Sequence, residues 1–152
     1  MNASTKPSVP AKDLTREVPR GPRVKIGDYI LMARMIDKGR AVLAGLNGEY
    51  HFDCPLDNML FQFKGVKGDE VRELLASGAT DEEILAWFEN HGTRRTPDDV
   101  RRWASESERV SFHGHPEKGE WFDDECRRLG LDPAKTTLFE YLEADDRASY
   151  AR

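Results

Sequence analysis

Ile26-Gly-Asp-Tyr-Ile-Leu-Met-Ala-Arg-Met-Ile-Asp-Lys-Gly-Arg-Ala-Val-Leu-Ala-Gly45, followed by Leu46-Asn-Gly-Glu-Tyr-His-Phe-Asp-Cys-Pro-Leu-Asp57, is the stretch whose reading decides the fold. In its first half Ile26, Ile30, Ala33, Ile36 or Asp37, Arg40 and Leu43 recur every three to four residues. That period predicts one amphipathic helix over residues 27–44, beginning near Val24 to Asp28 and capped by Gly45. Gly39 within it costs up to about 1 kcal/mol relative to Ala, so it marks either close packing or an interruption.

The second half predicts a turn at Asn47-Gly48, an extended segment from Glu49 to Phe52, and a short helix opening at Pro55. Proline disfavours the helical region at the residue before it and suits the first helical position. Cys54 therefore becomes the N-cap and Asp57 the third helical residue.

Downstream, the signals stay helical. Val71, Leu74 and Leu75 precede a stop at Gly78, and Thr80 with Glu83 and Thr96 with Asp99 are capping-box pairs. Trp121, Phe122, Cys126 and Leu129 form a stripe ended by Gly130, and a last helix from Leu138 fades into Asp145-Asp146-Arg147. Trp87, Trp103 and Trp121 are assigned to the core. No fixed period relates the helices, which argues against a solenoid. The fold expected is mainly α: a compact single domain of five to seven short helices with at most one small β element. Residues 1–20, rich in Ser, Thr, Pro and Lys, are expected to be a flexible tail before a helical domain at 21–152.

Composition bounds the function. At 152 residues with 38% hydrophobic and 34% charged residues, the chain suits one solvated globular domain. The net charge of −5 is uneven: residues 1–48 carry nine Lys/Arg against four Asp/Glu, leaving fourteen against twenty-four for the rest. Lys6, Lys12, Arg16, Arg20, Arg23 and Lys25 are spaced singly without stacking aromatics, so nucleic-acid binding is not expected. No run reaches the roughly 18 to 20 apolar residues of a membrane helix. Two cysteines without CxxC spacing and no leader pattern fit a cytoplasmic protein.

Three groups of residues carry candidate chemistry. Cys54 at a helix N-cap faces unpaired N–H groups and the positive dipole end, which favours a nucleophilic thiolate; a buried, inert Cys is the plainer alternative. In an extended strand His51 and Asp53 point opposite to Phe52 and Cys54, so a His51–Cys54 pair needs a bend. Arg34, Asp37 and Lys38 share one face of the first helix and Arg40 turns to a neighbouring one. They are expected either to clamp an anionic substrate, with Asp37 or Tyr50 exchanging a proton, or to bond to Asp145 and Asp146. His113 and His115, with His51 and His91, have no ligand spacing that specifies a metal, and none is assigned. Gly65-x-x-Gly68 lacks the length and Lys-Ser/Thr ending of a phosphate loop, and no cofactor is implied.

The leading expectation is an enzyme acting on a small polar or anionic metabolite, in a pocket between the 27–44 helix and the 49–61 segment. Asp37, His51 and Cys54 would be catalytic, and Arg34, Lys38, Arg40, Tyr50 and Asp57 would bind substrate. The alternative is a non-catalytic ligand-binding, regulatory or interaction module.

Arg34-Met-Ile-Asp-Lys-Gly-Arg-Ala41, Glu49-Tyr-His-Phe-Asp-Cys-Pro-Leu-Asp57, Phe63-Lys-Gly65 and Thr80-Asp-Glu-Glu-Ile-Leu-Ala-Trp87 together resemble a bacterial family of domains of unknown function. The likeness spans roughly residues 14 to 107. It implies a compact, mostly helical cytoplasmic protein, assigns no catalytic residue, and does not require Cys at position 54, which shifts weight to Arg34, Asp37 and Lys38.

Overall fold

The computed structural model describes residues 9–150. Seven α-helices follow one another: α1 (Met32–Ala44), α2 (Pro55–Lys64), α3 (Gly68–Ala76), α4 (Asp81–Asn90), α5 (Pro97–Ser107), α6 (Gly119–Arg128) and α7 (Leu138–Tyr150). A 3-10 turn at Pro133–Lys135 precedes α7, and an isolated bridge between Ile26 and Tyr29 is the β-type pairing seen among the described residues. The protein is a compact, mainly α single domain, as its helical periodicity predicts.

Helix α1 is central, with Met32 through Gly39 all buried. It packs on α2 and α3. It starts five residues later than the 27–44 pattern suggested. Gly27 adopts φ 60°, closing a tight turn between Ile26 and Tyr29, and Leu31 takes a left-handed φ of 67°. Leu31 also donates its amide to Pro22 O at 2.9 Å. The apolar run from Tyr29 to Leu31 is thus buried loop, and an apolar run buried on every side looks the same in sequence whether coiled or not.

Gly39 marks close packing, not a break: α1 runs through it unbroken, and a Cβ there would overlap Leu75 Cδ1 and press on Phe52. Around α1 the core is built from Leu60, Phe61, Val71, Ile84, Phe88, Phe122 and Phe139. Full burial of each such side chain is worth about 1.5–3 kcal/mol. Both expected capping boxes form, Thr80 with Glu83 and Thr96 with Asp99. Trp121 departs from its core assignment: it is half exposed, with its ring edge-on to Tyr141.

Two further departures shape the site. Helix α7 does not fade at Asp145 but continues to Tyr150, and Asp146 is buried within it. Residues 9–20, expected as part of a flexible tail, lie against the helices, with Leu14 fully buried and its amide bonded to Leu46 O at 2.8 Å. Residues 1–8 of that expected tail lie outside the described residues. No helix among those described is long and apolar enough to cross a membrane.

Candidate functional site

A cleft of about 680 Å³ opens where α1, the loop before α2, and α7 meet. Arg34 and Lys38 line it from α1, Tyr50, His51 and Cys54 from the loop, Asp146 and Tyr150 from α7, and Leu14 and Thr15 from the N-terminal segment. Tyr150 donates its hydroxyl to Leu14 O at 2.5 Å, which ties that segment to α7 across the cleft.

The loop bends sharply before α2. Asn47 donates its side-chain amide to Tyr50 O at 2.9 Å, Gly48 adopts φ 53°, and Asp53 takes φ 60°. Glu49 to Phe52 therefore forms no strand. Cys54 is the N-cap of α2 with extended backbone, Pro55 is the first helical residue and Asp57 lies in the first turn.

The Cys54 side chain does not cap the helix. Instead Lys38 Nζ donates to Cys54 Sγ at 3.2 Å and pairs with Asp57 Oδ1 at 2.9 Å. Asp57 Oδ2 in turn accepts the Asp53 amide at 2.9 Å. Lys38 and Asp57 are both almost wholly buried, whereas Cys54 is half-buried on the cleft wall. Burial pushes the Asp57 carboxyl above its ordinary range, an effect that Lys38 and the amides of Asp53 and Cys54 offset only in part. His51 is exposed and lines the same cleft, but the sulfur's hydrogen-bond partner is Lys38.

Deeper in, Arg34 makes a two-pronged pair with Asp146, Nη1 to Oδ2 at 2.7 Å and Nη2 to Oδ1 at 3.3 Å. Tyr50 donates its hydroxyl to Asp146 Oδ1 at 2.9 Å, and its ring lies 5.6 Å from the Arg34 guanidinium carbon. Burial and the Asp146 carboxylate both push the Tyr50 hydroxyl well above its ordinary pKa, so it serves as a donor and not as a base. Arg34 Nε is buried and meets no acceptor among the described residues.

Asp37 and Arg40 face away from this cleft. Asp37 Oδ2 accepts the Arg20 amide at 2.8 Å, and its carboxylate is gripped by the Arg20 guanidinium, with Nη2 at 3.0 Å from Oδ1. Arg20 reaches on to Asp81 at 2.9 Å, Arg40 pairs with the other Asp81 oxygen at 3.1 Å, and Arg40 donates to Ala79 O at 3.0 Å. Burial disfavours the Asp81 charge, but the two arginines outweigh it and hold the carboxyl below its ordinary range. Of the sequence-predicted site residues, the structure thus gathers Arg34, Lys38, Tyr50, His51 and Cys54 at the cleft with Asp57 behind them, and leaves Asp37 and Arg40 outside it on the adjoining face of α1, linked to it where Arg34 Nη1 donates to Arg20 O at 3.3 Å.

Asp146 is the site residue whose role the sequence reading underweighted. It falls on the buried face of α7, four residues after Leu142 and seven after Phe139, and that spacing was the available signal. Lys64 follows the same pattern after Leu60 and Phe61: it is buried, donates to Thr93 O at 2.8 Å, and burial pushes its ammonium below the ordinary value. Away from the cleft, His113 Nδ1 lies 2.9 Å from Asp123 Oδ1, and His115 Nδ1 accepts the amides of Glu117 and Lys118. No group of three or more His, Cys, Asp or Glu able to hold a metal occurs among the described residues.

Residues 16–148 match a family described as Domain of unknown function (DUF5069). The chain belongs to that family. The match covers the whole helical array from the segment carrying Arg20 to Asp146 of α7, so the DUF5069 domain includes both partners of the Arg34–Asp146 pair. No curated protein matches the chain.

Proposed function

We propose that this DUF5069 protein binds a small polar or anionic molecule in the cleft and that Cys54 attacks an electrophilic carbon of it. One observation carries the reading: Lys38 Nζ stands 3.2 Å from a half-buried thiol that is the N-cap residue of α2 and opens on a cleft of about 680 Å³. A cation and a helix N-terminus both stabilise negative charge on sulfur as it attacks and departs. His51, on the cleft wall, exchanges the proton with the leaving group. Arg34 and Tyr50, locked on Asp146, form the rigid polar floor that orients the ligand. Two free thiols suit a reducing compartment, the cytoplasm.

A second reading, binding without turnover, draws on a different observation. Arg34 and Lys38 are already neutralised by Asp146 and Asp57. Those charges would then build the cleft and not act on its contents.

Intact-mass analysis during incubation with small activated esters of polar acids separates the two. The thiol reading expects an acyl group on Cys54 that is lost again with release of acid, and no acyl group on Cys54→Ala. Turnover that survives in Cys54→Ala overturns it. Polar acids that raise the melting temperature, with no adduct forming from their esters, leave the binding module.

A further inference from the structure

The cleft thiol has a second chemistry available to it, set by which nitrogen it touches. We propose that Cys54 and Lys38 form an oxidative cross-link, in which hydrogen peroxide converts the Cys54 thiolate to a sulfenic acid and Lys38 Nζ then displaces the hydroxyl to leave a sulfur–nitrogen bond. In the first step Sγ attacks one peroxide oxygen, the O–O bond breaks, and the departing hydroxide takes a proton from the Lys38 ammonium to leave as water. Sulfur is oxidised by two electrons, the peroxide is reduced, and Lys38 becomes a free amine. In the second step Nζ attacks sulfur, the S–O bond breaks, and the hydroxide leaves as water with a proton lost from nitrogen. One thiol, one amine and one peroxide thus give one sulfenamide and two waters.

Three features of the fold direct the sulfenic acid to this outcome. Its usual fates are condensation with a second thiol or closure on a backbone nitrogen. The other thiol, Cys126, is fully buried in the core on α6. The backbone nitrogen that follows Cys54 belongs to Pro55, which carries no hydrogen and cannot form the ring. What remains is Lys38 Nζ at 3.2 Å, on a side chain almost wholly buried and held in place from the other side by Asp57 at 2.9 Å. Asp57 also takes up the proton that the Cys54 thiol sheds on becoming the thiolate, since both departing hydroxides are protonated from nitrogen. Its carboxyl is already pushed up by burial, so taking that proton leaves no stranded charge. The linked state replaces a buried ion pair with two neutral groups and fastens α1 to the start of α2.

The inference uses the same side chains as the proposed thiol chemistry but not turnover, so each fails separately: absence of the cross-link beside a functioning acyl–Cys54 rejects only this one. The experiment is treatment of the purified full chain with hydrogen peroxide, followed by intact mass and tryptic mapping. The expected product is lighter than the reduced protein by two hydrogens at the Lys38–Cys54 pair. Trypsin fails to cut after Lys38, and the peptide Met35 to Arg40 stays joined to Ala41 to Lys64, which holds Cys54. Dithiothreitol separates the two peptides and restores cleavage. In Lys38→Arg, whose guanidinium is a poor nucleophile, Cys54 should instead be trapped by dimedone and pass on to sulfinic acid. Conversion of wild-type Cys54 to sulfinic acid with cleavage after Lys38 intact, or no reaction at all, overturns the proposal. So does the same two-hydrogen loss in Lys38→Arg. Should that variant not fold, the wild-type peptide map decides alone.

Discussion

The two charged faces of α1 are built on different plans. Toward the cleft, Arg34 and Lys38 each have one private carboxylate, Asp146 and Asp57, and all four side chains are buried, with at most 8% of any one exposed. On the adjoining face Asp37, with Asp81 of α4, is shared among Lys12, Arg20 and Arg40, and several members are partly open to water. A shared, half-wet network tolerates the loss of a member, because the others re-pair and water screens the rest. A private buried pair does not, since removing one partner strands the other in a low-dielectric site. Only the private pairs keep further contacts with uncharged groups at the cleft, Tyr50 for Arg34–Asp146 and Cys54 for Lys38–Asp57. The lesson is that charge within an apolar stripe does not itself mark a site; what matters is whether the charge is spent on a network or held beside a reactive group.

The sharpest way to break this contrast is Asp146→Ala. It strands Arg34 and the Tyr50 hydroxyl together, and urea denaturation should show a loss of about 3–5 kcal/mol. A loss under about 1 kcal/mol would mean the private pair behaves like an exposed one. Asp37→Asn is next. It removes charge-assisted bonds from Arg20, which keeps Asp81, so the expected cost is about 1.5–3 kcal/mol. The alkylation rate of Cys54 should not change, and a slowed thiol in this variant would join the two faces into one system.

Smaller still is Arg40→Ala, at about 1 kcal/mol, because Arg20 still serves Asp81. The same network has a pH signature. The Asp81 carboxyl is held below its ordinary range in the fold, so its contribution is complete above the ordinary value of about 4 and disappears as pH falls through the lowered one. Acid titration of stability should therefore be shallower in Asp81→Asn than in the wild type. Equal slopes would place the network's weight on Asp37.

Much of the helical array was legible because its signals are local. Thr80-Asp-Glu-Glu83 and Thr96-Pro-Asp-Asp99 announce helix starts, Gly45 and Gly65 end helices, and Cys54-Pro55 fixes the opening of α2. The start of α1 was not legible. Tyr29 to Leu31 are as apolar and as buried as the helix they precede, and the turn at Gly27 leaves no periodic trace. At the cleft, the sequence brought Arg34, Lys38, His51 and Cys54 into view, with Asp146 as an alternative partner for the α1 charges and Asp57 as a site residue, but it did not decide which charge pairs with which. The partner of Arg34 lies 112 residues away on α7, and the partner of Asp37 in an N-terminal segment whose composition reads as a tail. Nor does spacing reveal that Lys38, and not His51, reaches the sulfur. That contact depends on the bend at Asp53 and on how α2 packs against α1, neither of which is encoded locally.

The most direct test of the Lys38–Cys54 contact is the rate of iodoacetamide alkylation of Cys54 in the folded protein, compared with Lys38→Met combined with Asp57→Asn. The double substitution removes the buried ion pair without stranding either charge. A charge-assisted bond worth about 1.5–3 kcal/mol makes the wild-type thiol react about 10- to 100-fold faster. Cys126, fully buried and with its thiol pushed up by burial, should stay unlabelled in both until denaturant is added. Equal Cys54 rates in the two folded proteins would contradict the assignment and reduce Lys38–Asp57 to a structural pair beside an ordinary cysteine.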